Sequence, residues 1–165
     1  MNSSSSKISF DWKFVSDQKS ISNRDRRDVP TILAVDALFT IEINNEIYFQ
    51  AELAILEFYK SLYRWKEGMT KDEIPEFHYY TIEYDDYEAG AILSMIPFSD
   101  KARVKTIWAE IDIYNVFELN YIVKEFLALE ATLRKDIEEY YEINIDRFIK
   151  HIPFTIRENE DELRG

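Results

Sequence analysis

Glu110 and Asp112 stand two residues apart in an alternating stretch. On one strand face that spacing sets two carboxylates roughly 7 Å apart, a separation suited to acid/base work. Around them stand no catalytic signature and no second motif. The two histidines, His78 and His151, have neither an HExxH nor a His-x-His partner. Asp85, Asp86 and Glu88 lie close together without the spacing of a calcium loop. No GxSxG elbow supports a Ser-His-Asp set, and no glycine-rich phosphate loop is present. The chain has no cysteine, which removes thiol nucleophiles, disulfides and thiolate zinc sites. Neither a metal, a cofactor nor a catalytic set is expected.

The densest candidate is of another kind. Phe77 to Phe98 is aromatic and acidic, and reads as two strands joined by a tyrosine-rich turn. Tyrosine offers a large contact area at small rotamer cost, and flanking carboxylates pair with Arg or Lys on a partner. The predicted partner-binding residues are therefore Tyr80, Tyr84, Asp85, Asp86, Tyr87 and Glu88. An alternative is that the tyrosines pack on a sheet and the acids solvate a turn. A third is a pocket between sheet and helices, with His78, Glu83, Glu110 or Asp112 as its polar groups. Trp65 and Trp108 read as core or core-edge residues.

Composition limits the partner. With 32 acidic and 20 basic residues, the net charge is −12. That disfavours direct binding of nucleic acid or an anionic membrane, and favours a basic protein steered in by charge. A nucleic-acid mimic is a further reading, weakened because Lys124, Arg134 and Lys135 interrupt the acidic long helix. Arg24, Arg26 and Arg27 form the most basic point, in a polar loop over 16–30. No apolar run reaches the roughly 18 residues of a membrane span, and the start lacks a signal-peptide core, so a cytoplasmic location is expected.

The elements that must position these residues follow from periodicity. Ile8 to Val15 alternates as a strand, with Ile8, Phe10, Trp12 and Phe14 on one face. Ile32 to Ile43 is a second strand, turning at Asn44-Asn45 into a return strand over 46–50 with Ile47 and Phe49 inward. Ala51 to Lys66 shifts to helical period along Ile55, Phe58, Leu62 and Trp65, ending at Gly68. Strands are expected at 77–84, 91–98 and 103–114. Asn115 with Glu118 reads as a capping box opening a helix to about Glu142. A short helix over 145–152 follows. The predicted class is α+β: a largely antiparallel sheet of about 5–6 strands, with two main helices, about 51–66 and 117–142, mainly on one face. Residues 1–7 read as a flexible lead-in, 8–153 as one domain, and 154–165 as a polar acidic tail.

The segments AELAILEFYKSLYRW, FHYYTIEYDDYEAGAIL and IWAEIDIYNVFEL resemble a group of small, acidic, largely uncharacterised bacterial proteins. Proteins of this look are often immunity proteins paired with polymorphic or contact-dependent toxins. The resemblance implies a cytoplasmic antidote that blocks a basic toxin, its cognate partner, by direct binding. It carries over no site residue, because it brings no defining site motif.

Overall fold

The computed structural model describes residues 6–83 and 90–155. Its elements run β1 (Ile8–Phe14), α1 (Val29–Leu33), β2 (Asp36–Ile43), β3 (Glu46–Ala54), α2 (Ile55–Glu67), β4 (Phe77–Tyr79), β5 (Leu93–Phe98), β6 (Lys101–Thr106), β7 (Phe117–Glu118), α3 (Leu119–Tyr141) and α4 (Ile145–Phe148). The class is α+β, as expected, with α2 and α3 as the main helices. The strands form two antiparallel sheets rather than one: β1-β2-β3 and β4-β5-β6-β7. The two sheets meet through backbone bonds outside the ladders. Ser6 N donates to Val116 O at 3.0 Å, and Glu110 N to Tyr48 O at 2.9 Å.

Strand alternation on β1 is as read, and on β2 from Asp36 onward; Ile32 and Leu33, read as the start of that strand, belong to α1, which Pro30 and the Asp28 cap open. Ile8, Ala37, Phe39, Ile41 and Ile43 are buried, and Phe10, Trp12 and Phe14 are half-buried against the core. Asn44 and Asn45 take φ of 52° and 70°, the left-handed pair that a tight hairpin requires. The return strand departs from expectation. A bulge follows Ile41↔Phe49, so Glu42 pairs Ile47 and Tyr48 is the extra residue. The bulge turns Ile47 out to solvent and Tyr48 in. The Tyr48 hydroxyl donates to Val104 O at 3.3 Å, joining the first sheet to the second.

Other boundaries also differ: the strands read at 77–84 and 91–98 pair only over Phe77–Tyr79 and Leu93–Phe98, and the short helix read at 145–152 ends at Phe148. Ala51 to Ala54 remain strand, paired with Phe39 through Asp36, so α2 begins at Ile55. The 103–114 strand ends at Thr106 as β6, and 107–114 is irregular. Ser6 and Lys7, read as part of a flexible lead-in, are tied down. Lys7 N donates to Asn44 Oδ1 at 2.9 Å, and its ammonium lies 4.7 Å from the Tyr121 ring centre.

Asn115 is not a helix cap. Glu118 holds the N-cap position of α3, with no side-chain cap bond. Asn115 is 1% exposed and acts as a piece of strand. Its Oδ1 accepts from Val104 N at 2.8 Å, and its Nδ2 donates to Val104 O at 3.0 Å and Ile113 O at 3.2 Å. The amide thus continues the β6 ladder where no backbone partner stands. Asn115→Ala is expected to cost about 1–3 kcal/mol in urea unfolding, because the buried Val104 N–H loses its acceptor.

The core lies between the two sheets and the two helices. Phe58 of α2 meets Phe39 at 4.7 Å and Tyr79 at 5.2 Å between ring centres. Phe126 of α3 meets Phe10 and Phe77, each at 5.4 Å, and Trp65 at 5.7 Å. The two helices therefore touch both sheets through one aromatic cluster. In α2 even the polar Glu57, Lys60 and Ser61 are buried.

Candidate functional site

β4 and β5 pair antiparallel in the register Phe77↔Met95, His78↔Ser94, Tyr79↔Leu93. Phe77 and Tyr79 point into the aromatic core against Phe58. His78 and Tyr80 lie on the opposite face with their rings stacked, centres 6.0 Å apart. There they line an open groove of about 480 Å³ on the second sheet. Tyr48, Gly90, Arg103 and Asp112 are among its other walls.

Of the predicted partner-binding residues, Tyr80 is 5% exposed and backs this groove. Tyr84, Asp85, Asp86, Tyr87 and Glu88 lie outside the described residues. Described residues on both sides of that stretch, Tyr80 and Gly90, line the groove. Tyr80 stands four residues before Tyr84, and Gly90 directly follows Ala89. Gly90 has φ of +114°, a conformation that a side chain resists, so a glycine suits the point where the chain re-enters.

The approach to the stretch is moored from below. Glu57 of α2 is fully buried, and its Oε2 accepts from Ile82 N at 2.9 Å. Its Oε1 accepts from the Tyr79 hydroxyl at 3.3 Å, and the Thr81 side chain also bonds it. Burial raises the Glu57 pKa; these three hydrogen bonds oppose the shift, and nearby Glu83 adds to it. Among the described residues no cation pairs with Glu57. Nothing in the sequence singled Glu57 out. A fully buried carboxylate bonded to a loop-side amide became visible only with tertiary structure.

Of the four pocket candidates, His78 and Asp112 line the groove; Glu83 and Glu110 are not among its walls. The Glu110–Asp112 pair does not share a strand face, because β6 stops at Thr106. His78 instead bridges two other groups. Its Nδ1 is 2.9 Å from Ser94 Oγ and its Nε2 is 2.9 Å from Glu76 Oε1. Ser94 is buried in the middle of β5, and it and its neighbours are paired on both sides, with β4 and β6. Their amides are committed to the ladders, so this row offers a ligand side-chain groups only.

Arg103 and Lys105 are the groove's cations among the described residues. Arg103 stacks over Tyr114, 4.8 Å from the ring centre, and its Nε is buried without a hydrogen-bond partner among the described residues. The irregular 107–114 stretch adds Ile107 and Asp112 to the groove's walls. Trp108 is 36% exposed, Tyr114 73%, and Ile111 and nearby Ile47 are also exposed. Trp65, by contrast, is core. Among the described residues no three His, Asp or Glu side chains group as metal ligands, and no helix is long and apolar enough to cross a membrane.

A domain of unknown function, DUF7878, matches residues 10–139. The chain belongs to this family. The DUF7878 match spans both sheets, α2 and nearly all of α3, so the groove and the Glu57 mooring lie within it. α4 follows it in the chain. Neither the curated proteins nor the solved structures contain a match.

Proposed function

We propose that the protein is a non-enzymatic binding module, a cytoplasmic immunity protein that neutralises a basic toxin by direct contact. One observation carries the reading most. Tyr80 and Gly90, on either side of the acidic, tyrosine-rich stretch, line one groove, and the 107–114 stretch that adds Ile107 and Asp112 to its walls also carries the exposed Trp108, Ile111 and Tyr114. Tryptophan, tyrosine and arginine are the side chains that dominate binding energy at protein interfaces, and Arg103 supplies the third. Net charge −12 supports attraction of a basic partner, and the Glu57 mooring supports a pre-set approach to the stretch.

The tagged full chain, used as bait at low and high salt, is expected to retain one basic protein stoichiometrically and to suppress its toxicity on co-expression. The triple charge reversal Asp85→Lys, Asp86→Lys and Glu88→Lys is then expected to slow association at least tenfold at low salt, and by less at high salt. Unchanged association kinetics would remove the stretch from the interface.

A second reading, a small-molecule site in the groove, is favoured by the unpartnered Arg103 Nε and by the groove's volume, within the range of ligand pockets. A thermal-shift screen separates the two. A ligand whose stabilisation is lost in Arg103→Ala but kept in the triple reversal supports the pocket.

A further inference from the structure

The most basic loop of the sequence does not stand alone in the fold. Asn23 Oδ1 accepts from Asn144 N at 2.9 Å and draws the loop against the start of α4. This brings Arg26 and Arg27 to the same open hollow as Arg147, Lys150 and His151, about 350 Å³ in volume. The two groups are separated by some 120 residues of sequence. Among the described residues Asp146 is the one acid on its wall, and its carboxylate is already held by Arg134 at 2.5 Å. Arg26 spends one N–H on Asn23 O. The side chains of Arg27, Arg147, Lys150 and His151 form no hydrogen bond or ion pair among the described residues. In a chain with 32 acids to 20 bases, a cluster of unneutralised cations is anomalous. Like charges so placed repel and lower stability unless an anion joins them.

The hollow rests on supported backbone. Ile145 and Phe148 of α4 are fully buried. The Lys60 ammonium, reaching up from α2, donates to Ile149 O and Ile152 O beyond the end of α4. Desolvation and the charges of Lys150, Arg27, Arg26 and Lys60 hold the His151 pKa below its usual value, as a positive field requires.

We propose that this hollow binds a small anion carrying two or more phosphate groups. Three guanidinium forks match the oxygens of phosphate in pairs, and Lys150 adds a point charge. Four permanent cations complement several negative charges better than one carboxylate. The volume, near the lower end for ligand pockets, suits a small ligand, and net charge −12 repels a long polyanion such as nucleic acid.

The test is titration calorimetry of the full-length protein with pyrophosphate at low ionic strength. Saturable one-to-one binding is expected, with orthophosphate at least tenfold weaker. Arg147→Glu with Lys150→Glu is expected to weaken pyrophosphate binding at least tenfold. Lys13→Glu with Lys124→Glu, an equal charge change at exposed sites on β1 and α3, should shift it less than twofold. Should the first pair disturb folding, Arg27→Ala serves the same purpose and is expected to weaken binding about tenfold. Absence of saturable binding, equal weakening by the two charge changes, or tighter binding of a DNA duplex than of pyrophosphate would each overturn the proposal. The surface is separate from the groove, so the triple reversal at 85, 86 and 88 tests the immunity reading independently.

Discussion

Phe58→Ala is expected to lower stability by about 3–5 kcal/mol, the range for removing a buried aromatic ring. Phe58 is 1% exposed and its ring meets Phe39 of the first sheet and Phe77 and Tyr79 of the second. Truncation therefore loosens both sheets together. An apolar void of about 10 Å³ already adjoins it, lined by Phe10, Phe39, Phe77 and Phe126 among others. That is close to the size of one water, but its walls offer almost no polar partners, so it stays dry. The missing ring would enlarge this void, adding a cavity cost to the lost transfer energy. Phe58→Leu, which keeps most of the volume, should cost less than half as much. Urea unfolding of the pair checks this. Equal and small losses in both variants would show that the two sheets are not joined through α2.

The aromatic cluster was legible in the sequence because it obeys simple periods. Phe10, Phe39, Phe58 and Phe126 each fall on an apolar face found by counting twos or helical threes and fours. The Asn44-Asn45 turn was legible for the same local reason. Misread positions are those where a distant partner decides. Ala51 to Ala54 have helix-forming residues on either side, yet the free end of β2 pairs with them and holds them extended. Alternation over 107–114 resembles a strand, but β5 ends its pairing with β6 at Leu93↔Thr106. Asn115 has the chemistry of a cap and spends it on Val104 instead. At the candidate site, His78 and Asp112 were legible as groove residues, whereas nothing in the sequence singled out Arg103. The basic hollow was legible by half: Arg26 and Arg27 stood out, but their meeting with Arg147 and Lys150 depends on long-range contacts, among them the bonds at Asn23 and Ser16.

Glu57 gives the prediction with the clearest dependence on pH. Its folded pKa is raised by burial, so the charged form is the costly one. For a raised group, the stabilising contribution is fully present below the unfolded pKa, here 4.5, and is lost as pH rises through the folded value. Glu57→Gln keeps an acceptor for the Ile82 amide and cannot ionise. It is therefore expected to match the parent in acid and to exceed it in stability at pH 7–8, the gap opening as pH passes the folded pKa. Glu57→Ala behaves oppositely. The buried Ile82 N–H loses its acceptor, the Tyr79 and Thr81 hydroxyls lose one partner, and a cavity remains, for a loss of about 2–4 kcal/mol near pH 4. At pH 8 the loss shrinks, because the parent then carries the buried charge that the variant lacks. Denaturant curves for the three proteins across that range decide the matter. If the Gln and parent curves stay parallel, Glu57 holds its ordinary pKa in the folded state, and the carboxylate is better solvated than its burial implies. If they diverge as expected, the approach to the acidic stretch is tied to a carboxylate retained at a cost in stability. Under the proposed function, a binding surface that uses residues 84–88 would account for that cost, since the core packing of α2 would be served as well by an apolar side chain.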